Sequence, residues 1–169
     1  MQGLQRALTE IFNMGLQRNG VLVEEFLNGK DLTVSIIGNP PEHMPFFAIA
    51  EKDYSTLGSG LPKIWGYEGK WDRESPYYSL QSAIAKLPRM TETFLRQANT
   101  LLFERLGCRD YVRFDWRLDA KGTPCLLEVN PNPCWWYEGY LAKTAAMKGM
   151  SYSAMIRAIL KSAEKRLNI

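Results

Sequence analysis

The 169-residue sequence predicts an α+β fold, a mainly antiparallel sheet packed with helices, and three observations carry that expectation. Two strand-like runs, YVRFDWRLD from Tyr111 and PCLLEVNPNP from Pro124, flank a turn over 120–123. Two further β-rich runs, 21–27 and 31–37, are joined by Asn28-Gly29, a dipeptide suited to a hairpin. Helical periodicity marks the segments that precede and follow these pairs.

Taken in order, Leu4, Leu8, Ile11 and Phe12 recur at helical spacing ahead of Gly15 and Gly20, which predicts a first helix near the N-terminus. The hairpin over 21–37 follows, then a weaker strand over 45–50. From 51 to 88 the chain is rich in Gly, Pro, Ser, Tyr and charge with no sustained period, so a functional loop with short elements is expected. Met90, Phe94, Ala98, Leu101, Leu102 and Leu106 mark an amphipathic helix that starts near Pro88 and is capped by Gly107. After the 111–133 hairpin, two closing helices are expected over 139–148 and 151–167, the second turning Tyr152, Met155, Ile156, Ile159 and Leu160 to the core.

Composition bounds the function. With 46% hydrophobic residues the chain can bury one sizeable core, so residues 1–169 are expected to form a single domain. A net charge of +3, from 21 basic against 18 acidic residues, is too mild to argue for nucleic acid or an anionic membrane surface. Cys108, Cys125 and Cys134 form an odd set without metal-type spacing, which favours a reducing compartment, and Cys125 reads as a small core residue. No run reaches the length of a membrane span and no signal-peptide pattern opens the chain, so the expected location is cytoplasmic. His43, the single histidine, sits in a Pro-rich turn and receives no role.

The 111–133 hairpin carries the chemistry. Closing Asp119 against Pro124 places Asp115 opposite Glu128 and Arg113 opposite Asn130, on the face away from Phe114, Trp116, Leu118, Leu127 and Val129. Two opposed carboxylates repel unless a cation lies between them. Asp115, Glu128 and the amide oxygen of Asn130 make an all-oxygen set suited to Mg²⁺ that also carries phosphate. Arg113 beside them suits a phosphate or a developing oxyanion. The alternative is a solvated face on which Asp115 and Glu128 pair with Arg113, Arg117 and Lys121. The prolines around Asn130 fix the backbone where a ligand amide has to be held still.

The run YVRFDWRLDAKGTPCLLEVNPNP resembles the metal-binding hairpin of the ATP-grasp ligases, in particular the D-alanine-D-alanine ligase branch. VLVEEFLNGKDLTVSIIGN resembles that family's adenine-binding strand and hairpin, YEGKW its loop with a phosphate-contacting lysine, and KGMSYSAMIRAILKSAEKRL its closing helix. These matches cover most of the chain in the family's order, and the fold they imply is the C-terminal ATP-grasp portion.

The resemblance implies ATP and Mg²⁺ as cofactors. It places Glu24 near the adenine amino group, backbone groups around Glu25 and Leu27 at the base edge, Asp31 at the ribose hydroxyls and Lys70 at the phosphates. Asp115, Glu128 and Asn130 become metal ligands and Arg113 the catalytic cation. The implied activity is that of a carboxylate-amine ligase working through an acylphosphate, on a small carboxylate and an amine. Two departures stand out. CWWYEGY from Cys134 is bulkier than the small polar stretch of the family, which puts a D-alanyl acceptor in question. The family's N-terminal substrate domain and first ATP-grasp subdomain have no counterpart in these residues. Three arrangements are therefore expected: a fragment of a longer ligase, a subunit completed by a partner or a second copy, or a non-catalytic nucleotide-binding or interaction module. Trp65, Tyr67 and Trp71 either order the loop around a triphosphate or cover the core.

Overall fold

The computed structural model describes residues 2–15 and 20–169. Its elements run α1 (Gln2–Asn13), β1 (Asp31–Asn39), β2 (His43–Lys52), α2 (Tyr67–Trp71), β3 (Ser82–Ile84), α3 (Arg89–Arg105), β4 (Tyr111–Leu118), β5 (Pro124–Asn130), α4 (Tyr140–Met147) and α5 (Tyr152–Leu167). The strands form one antiparallel sheet in the order β3-β2-β1-β4-β5. No described helix is long and apolar enough to cross a membrane.

β1 is central, and its alternation gives each sheet face its character. Leu32, Val34 and Ile36 join Phe114, Val112 and Trp116 of β4 against Leu95 and Phe103 of α3. The other face is divided. At one end Ile37, Phe46 and Ala48 pack under Leu141 and Ala145 of α4 and Met155 and Ile159 of α5. At the other end the register brings Asp31, Thr33, Arg113, Asp115 and Arg117 onto the same side, with Glu128 and Asn130 following on β5.

The 21–27 run is not a strand, and Asn28-Gly29 is not a hairpin turn. Both edges of β1 are taken, by β2 and β4, so no ladder is left for the preceding residues. Gly29 also lacks the positive φ that a tight Asn-Gly turn uses. Instead the segment is tied to the end of β4: the Gly29 N–H donates to the Leu118 carbonyl and the Leu118 N–H donates to that of Lys30, each at 2.9 Å. The partner of β1 is β2, longer than the strand expected over 45–50.

The β4–β5 hairpin places Asp115 opposite Glu128 and Arg113 opposite Asn130 as expected, by a different route. Leu118, not Asp119, closes against Pro124, and a register shift beyond Trp116↔Leu126 restores the pairing. Leu127 falls at that irregularity and is exposed rather than on the apolar face.

Helix α3 begins at Pro88, whose φ of −56° suits the entry of a helix, and ends at Gly107 with φ +65°. There Cys108 N–H donates to the Phe103 carbonyl and Gly107 N–H to that of Glu104, the Schellman pattern that a left-handed glycine permits. Its buried face is Leu95, Asn99 and Phe103; Met90, Phe94, Leu101 and Leu106 are exposed. Asn99 conceals the stripe. Its Nδ2 donates to the Leu95 carbonyl at 2.6 Å and its Oδ1 accepts from Trp116 Nε1 at 3.1 Å, so a polar side chain is satisfied in the core. In α5 the Ser151 cap accepts from Ala154 N–H, and Met155 and Ile159 are buried, whereas Tyr152 and Leu160 face outward.

Asp110 locks α5 to the sheet. Its carboxylate accepts from Arg166 Nη2 at 2.7 Å and from Asn39 Nδ2 at 2.9 Å, and its own N–H donates to Asn39 Oδ1.

Candidate functional site

Asp115 is the focus of the candidate site. Arg113 grips its carboxylate in a fork, Nη2 at 2.8 Å from Oδ2 and Nε at 3.1 Å from Oδ1. Thr33 Oγ1 donates to Oδ1 at 3.2 Å and Asn130 Nδ2 to Oδ2 at 3.1 Å. Three elements, β1, β4 and β5, thus converge on one carboxylate because odd positions of β1 and β4 share a face. Glu128 sits directly opposite Asp115 in register, is exposed, and forms none of the ion pairs among the described residues.

Among the described residues no three His, Cys, Asp or Glu side chains converge. The donors present are two opposed carboxylates and an amide, all hard oxygen ligands, which fit Mg²⁺ when phosphate and water complete its shell. Asn130 donates through its amide nitrogen here, so coordination by its oxygen requires the amide turned over.

The other expected residues are distributed along the same face and its margin. Asp31 accepts from Tyr54 Oη at 2.7 Å and lies 3.5 Å from Arg117 Nη1. Burial and the bond to Asp31 push the Tyr54 hydroxyl well above its usual range. Arg117 is itself buried and donates from Nε to the Leu27 carbonyl at 2.6 Å, with the Phe26 ring 5.0 Å from its guanidinium. Leu27 is therefore anchored at the site's edge through its backbone. Glu24 and Glu25 lie on the unpaired, exposed stretch and have no strand to fix them.

Lys70 sits in α2, its Nζ 5.6 Å from the Trp65 ring centroid. Trp65 is half-buried, while Tyr67 and Trp71 are exposed. Gly69 makes room for that indole: a Cβ there would stand 2.3 Å from Trp65 Cδ1. Trp65 meets Tyr140 edge to face at 5.5 Å, and Tyr140 in turn lies 5.8 Å from the Arg113 guanidinium. Burial pushes the Tyr140 hydroxyl up to about 12. Of the aromatic run after Cys134, Trp135 packs against Tyr111 at 5.4 Å and its carbonyl accepts from Tyr152 Oη, whereas Trp136 and Tyr137 meet edge to face and stay exposed.

Sequence reasoning missed Thr33, Tyr140 and Lys52, whose Nζ lies 4.0 Å from the Trp65 ring centroid and 5.1 Å from that of Tyr140. Thr33 was legible in the alternation from Asp31. Lys52 was not, because it depends on the β1–β2 register, and Tyr140 was hidden in a helix start.

With the geometry in place, comparison with known proteins gives one direction. The profile described as D-ala D-ala ligase C-terminus matches residues 1–161. An uncharacterized protein of Sinorhizobium fredii, y4sG, is 30% identical over 163 residues, covering 96% of this chain and 46% of its own length. A D-alanine–D-alanine ligase of Francisella philomiragia is 25% identical over 158 residues, covering 93% of this chain and 48% of its own. The crystal structure of the D-alanine–D-alanine ligase from Bacillus anthracis complexed with ATP superposes with a TM-score of 0.66 at 18% identity, over 95% of this chain and 47% of that one. The chain spans about half the length of the curated relatives it matches. The five-stranded antiparallel sheet, the helices on its two faces and the match along nearly the whole chain agree, and the chain belongs to the D-ala D-ala ligase C-terminus family of the ATP-grasp ligases.

Proposed function

We propose that this chain is the Mg²⁺-dependent, ATP-binding catalytic part of a carboxylate-amine ligase that works through an acylphosphate. The observation that carries the reading is the meeting of Asp115, Glu128, Asn130 and Arg113 on the part of the sheet face not occupied by the α4–α5 core. The ATP in the Bacillus anthracis relative supports the choice of nucleotide.

Asp115, Glu128 and the oxygen of Asn130 would hold the metal, which when bound neutralises phosphate charge during phosphoryl transfer. Lys70 attracts the phosphates, Asp31 offers acceptor oxygens to the ribose diol, and the backbone at Leu27 lines the base edge. A substrate carboxylate attacks the γ-phosphorus, forming the acyl–O–P bond as the bond to ADP breaks. A neutral amine then attacks the acyl carbon, the C–O bond to phosphate breaks, and the nitrogen gives up one proton to the departing phosphate as the amide forms. Arg113 leaves Asp115 to stabilise the oxyanion of that tetrahedral intermediate, a role its fixed positive charge suits.

A second reading, a non-catalytic nucleotide-binding or interaction module, is favoured by the two-bond Arg113–Asp115 pair, which occupies a carboxylate the metal needs. Phosphate release from ATP, assayed with a panel of amino acids, separates the two: stimulation by one of them supports the ligase, and none with or without added N-terminal ligase segment removes it. Under both readings Asp115→Ala and Glu128→Ala abolish Mg²⁺-dependent nucleotide binding, measured calorimetrically. Unchanged binding in both variants would sink the site.

A further inference from the structure

Lys52 closes β2 on the site face. The β1–β2 register, carried one step beyond Leu32↔Glu51, sets it opposite Asp31. Its Nζ lies 4.0 Å from the Trp65 ring centroid and 5.1 Å from that of Tyr140, so the ammonium is caged between two aromatic faces. Lys70 approaches the same indole from 5.6 Å, and Arg113 the same phenol ring from 5.8 Å. Three cations therefore surround one pair of rings. Asp31, the nearest acid to Lys52 in register, is already engaged by Tyr54 and Arg117, and Lys52 forms no ion pair among the described residues. Burial pushes its ammonium down to about 8, with Asp31 opposing and Lys143 of α4 adding to the shift. Arg113 is already neutralised by Asp115, whereas Lys52 and Lys70 form no ion pair among the described residues, and two unpaired ammonium groups on one indole are an arrangement that an anion relieves.

We infer that Lys52 is a polyphosphate-binding residue of this site, taking the phosphates nearest the sugar, at the far end of the chain of phosphates from Asp115 and Glu128. The inference rests on the nucleotide reading for the identity of the ligand, and on the caged geometry for the residue. Sheet spacing supports the placement. Asp115, Thr33 and Ala50 lie in one row across β4, β1 and β2, and Lys52 is two residues beyond Ala50, so Lys52 and Asp115 are roughly 12 Å apart at Cα. A lysine side chain and an extended polyphosphate together span that gap. Trp65 and Tyr140 hold the ammonium in line, which lowers the ordering cost of a flexible side chain.

The test uses the full chain and two probes titrated calorimetrically, inorganic tripolyphosphate and adenosine. Lys52→Met is expected to weaken tripolyphosphate by about tenfold or more, the usual size of a lost charge-assisted hydrogen bond, while adenosine stays within roughly twofold. Lys52→Arg keeps most of the tripolyphosphate affinity, and Lys161→Met, on the exposed part of α5, changes neither probe. Retained adenosine affinity shows that a variant is folded. Wild-type binding of tripolyphosphate that Lys52→Met leaves unchanged, an equal loss in Lys52→Arg, or no tripolyphosphate binding by the wild type each overturns the inference. Adenosine binding with no tripolyphosphate binding removes Lys52 and leaves the nucleotide reading standing. Tripolyphosphate binding lost in Lys52→Met but kept in Lys52→Arg, with the circular dichroism spectrum of Lys52→Met unchanged and no adenosine binding, keeps Lys52 and removes the nucleotide.

Discussion

At the scale of the residue, Asp110 and Asp115 are similar carboxylates in different service. Both are gripped in a fork by an arginine, yet Asp110 sits among Asn39, Ser162 and Arg166 at the sheet end, and Asp115 on the open face. Burial alone would raise the Asp110 carboxyl, and its bonds from Arg166 and Asn39 outweigh that and hold it below its ordinary 3.8. A carboxyl lowered in the folded state adds stability above the unfolded value and loses it as pH falls through the folded one. Acid unfolding should therefore begin near or below pH 3.8, and Asp110→Ala should lower the melting temperature at pH 7 while flattening the acid limb. Thermal melts from pH 2 to 7, read by circular dichroism, check both. Asp115 and Glu128 were legible as a facing pair, but alternation from the observed Leu118↔Pro124 closure would set Asp115 opposite Leu127, and it is the bulge that brings Glu128 there. Lys52 was not legible, since its place depends on the register of the β1–β2 hairpin, which sets it opposite Asp31 and about which local pattern is silent.

At the scale of the element, α3 shows how a satisfied polar residue misleads pattern reading. Met90, Phe94 and Leu101 look like a core stripe, whereas Leu95, Asn99 and Phe103 form the real one, with Asn99 bonded to Trp116. Leu95, 0% exposed, should cost about 2–5 kcal/mol on truncation to alanine, and the exposed Phe94 less than about 1 kcal/mol. Urea titration of Leu95→Ala and Phe94→Ala would expose a wrong face at once if the order were reversed. α2 makes a second prediction. Gly69→Ala drives a Cβ into Trp65, so it should displace the indole and weaken tripolyphosphate binding without touching Asp115, Glu128 or Asn130. Indole fluorescence and the tripolyphosphate titration read the two effects separately. The expected strand over 21–27 failed for a tertiary reason: β-propensity cannot act where β1 has no free edge.

At the scale of the whole molecule, buried ionisable groups set a pH profile. Lys52 is lowered from 10.5 to about 8, so the unfolded chain binds more protons than the folded one in that window, and stability rises as pH climbs through it. Cys108, raised above 9.0 by burial, and Tyr54 and Tyr140, raised above 10.0, act in the opposite sense from those values upward. Stability should therefore climb from about pH 8 and then turn down in alkali, and Lys52→Met should remove the climb between 8 and 9.0. Denaturant midpoints at half-unit pH steps measure it. The antiparallel architecture and the order of its parts were readable because four motifs recur in the family's sequence. What escaped was the bulge that repairs the β4–β5 register, and, set by contacts between distant parts of the chain, the tethering of 27–30 to β4 and the aromatic cage that brings residues 52, 65 and 140 together.

β1 and β4 each present core to one side and chemistry to the other, and this two-sidedness has an evolutionary corollary. Substitutions at Asp31, Thr33, Arg113 or Asp115 touch a different set of neighbours from those at Leu32, Val34, Val112 or Phe114. Their effects should therefore combine nearly additively despite adjacency along the chain, since additivity fails mainly between residues in contact. A lineage could then drift to new substrates on one side of these strands while the other side keeps the same protein folded.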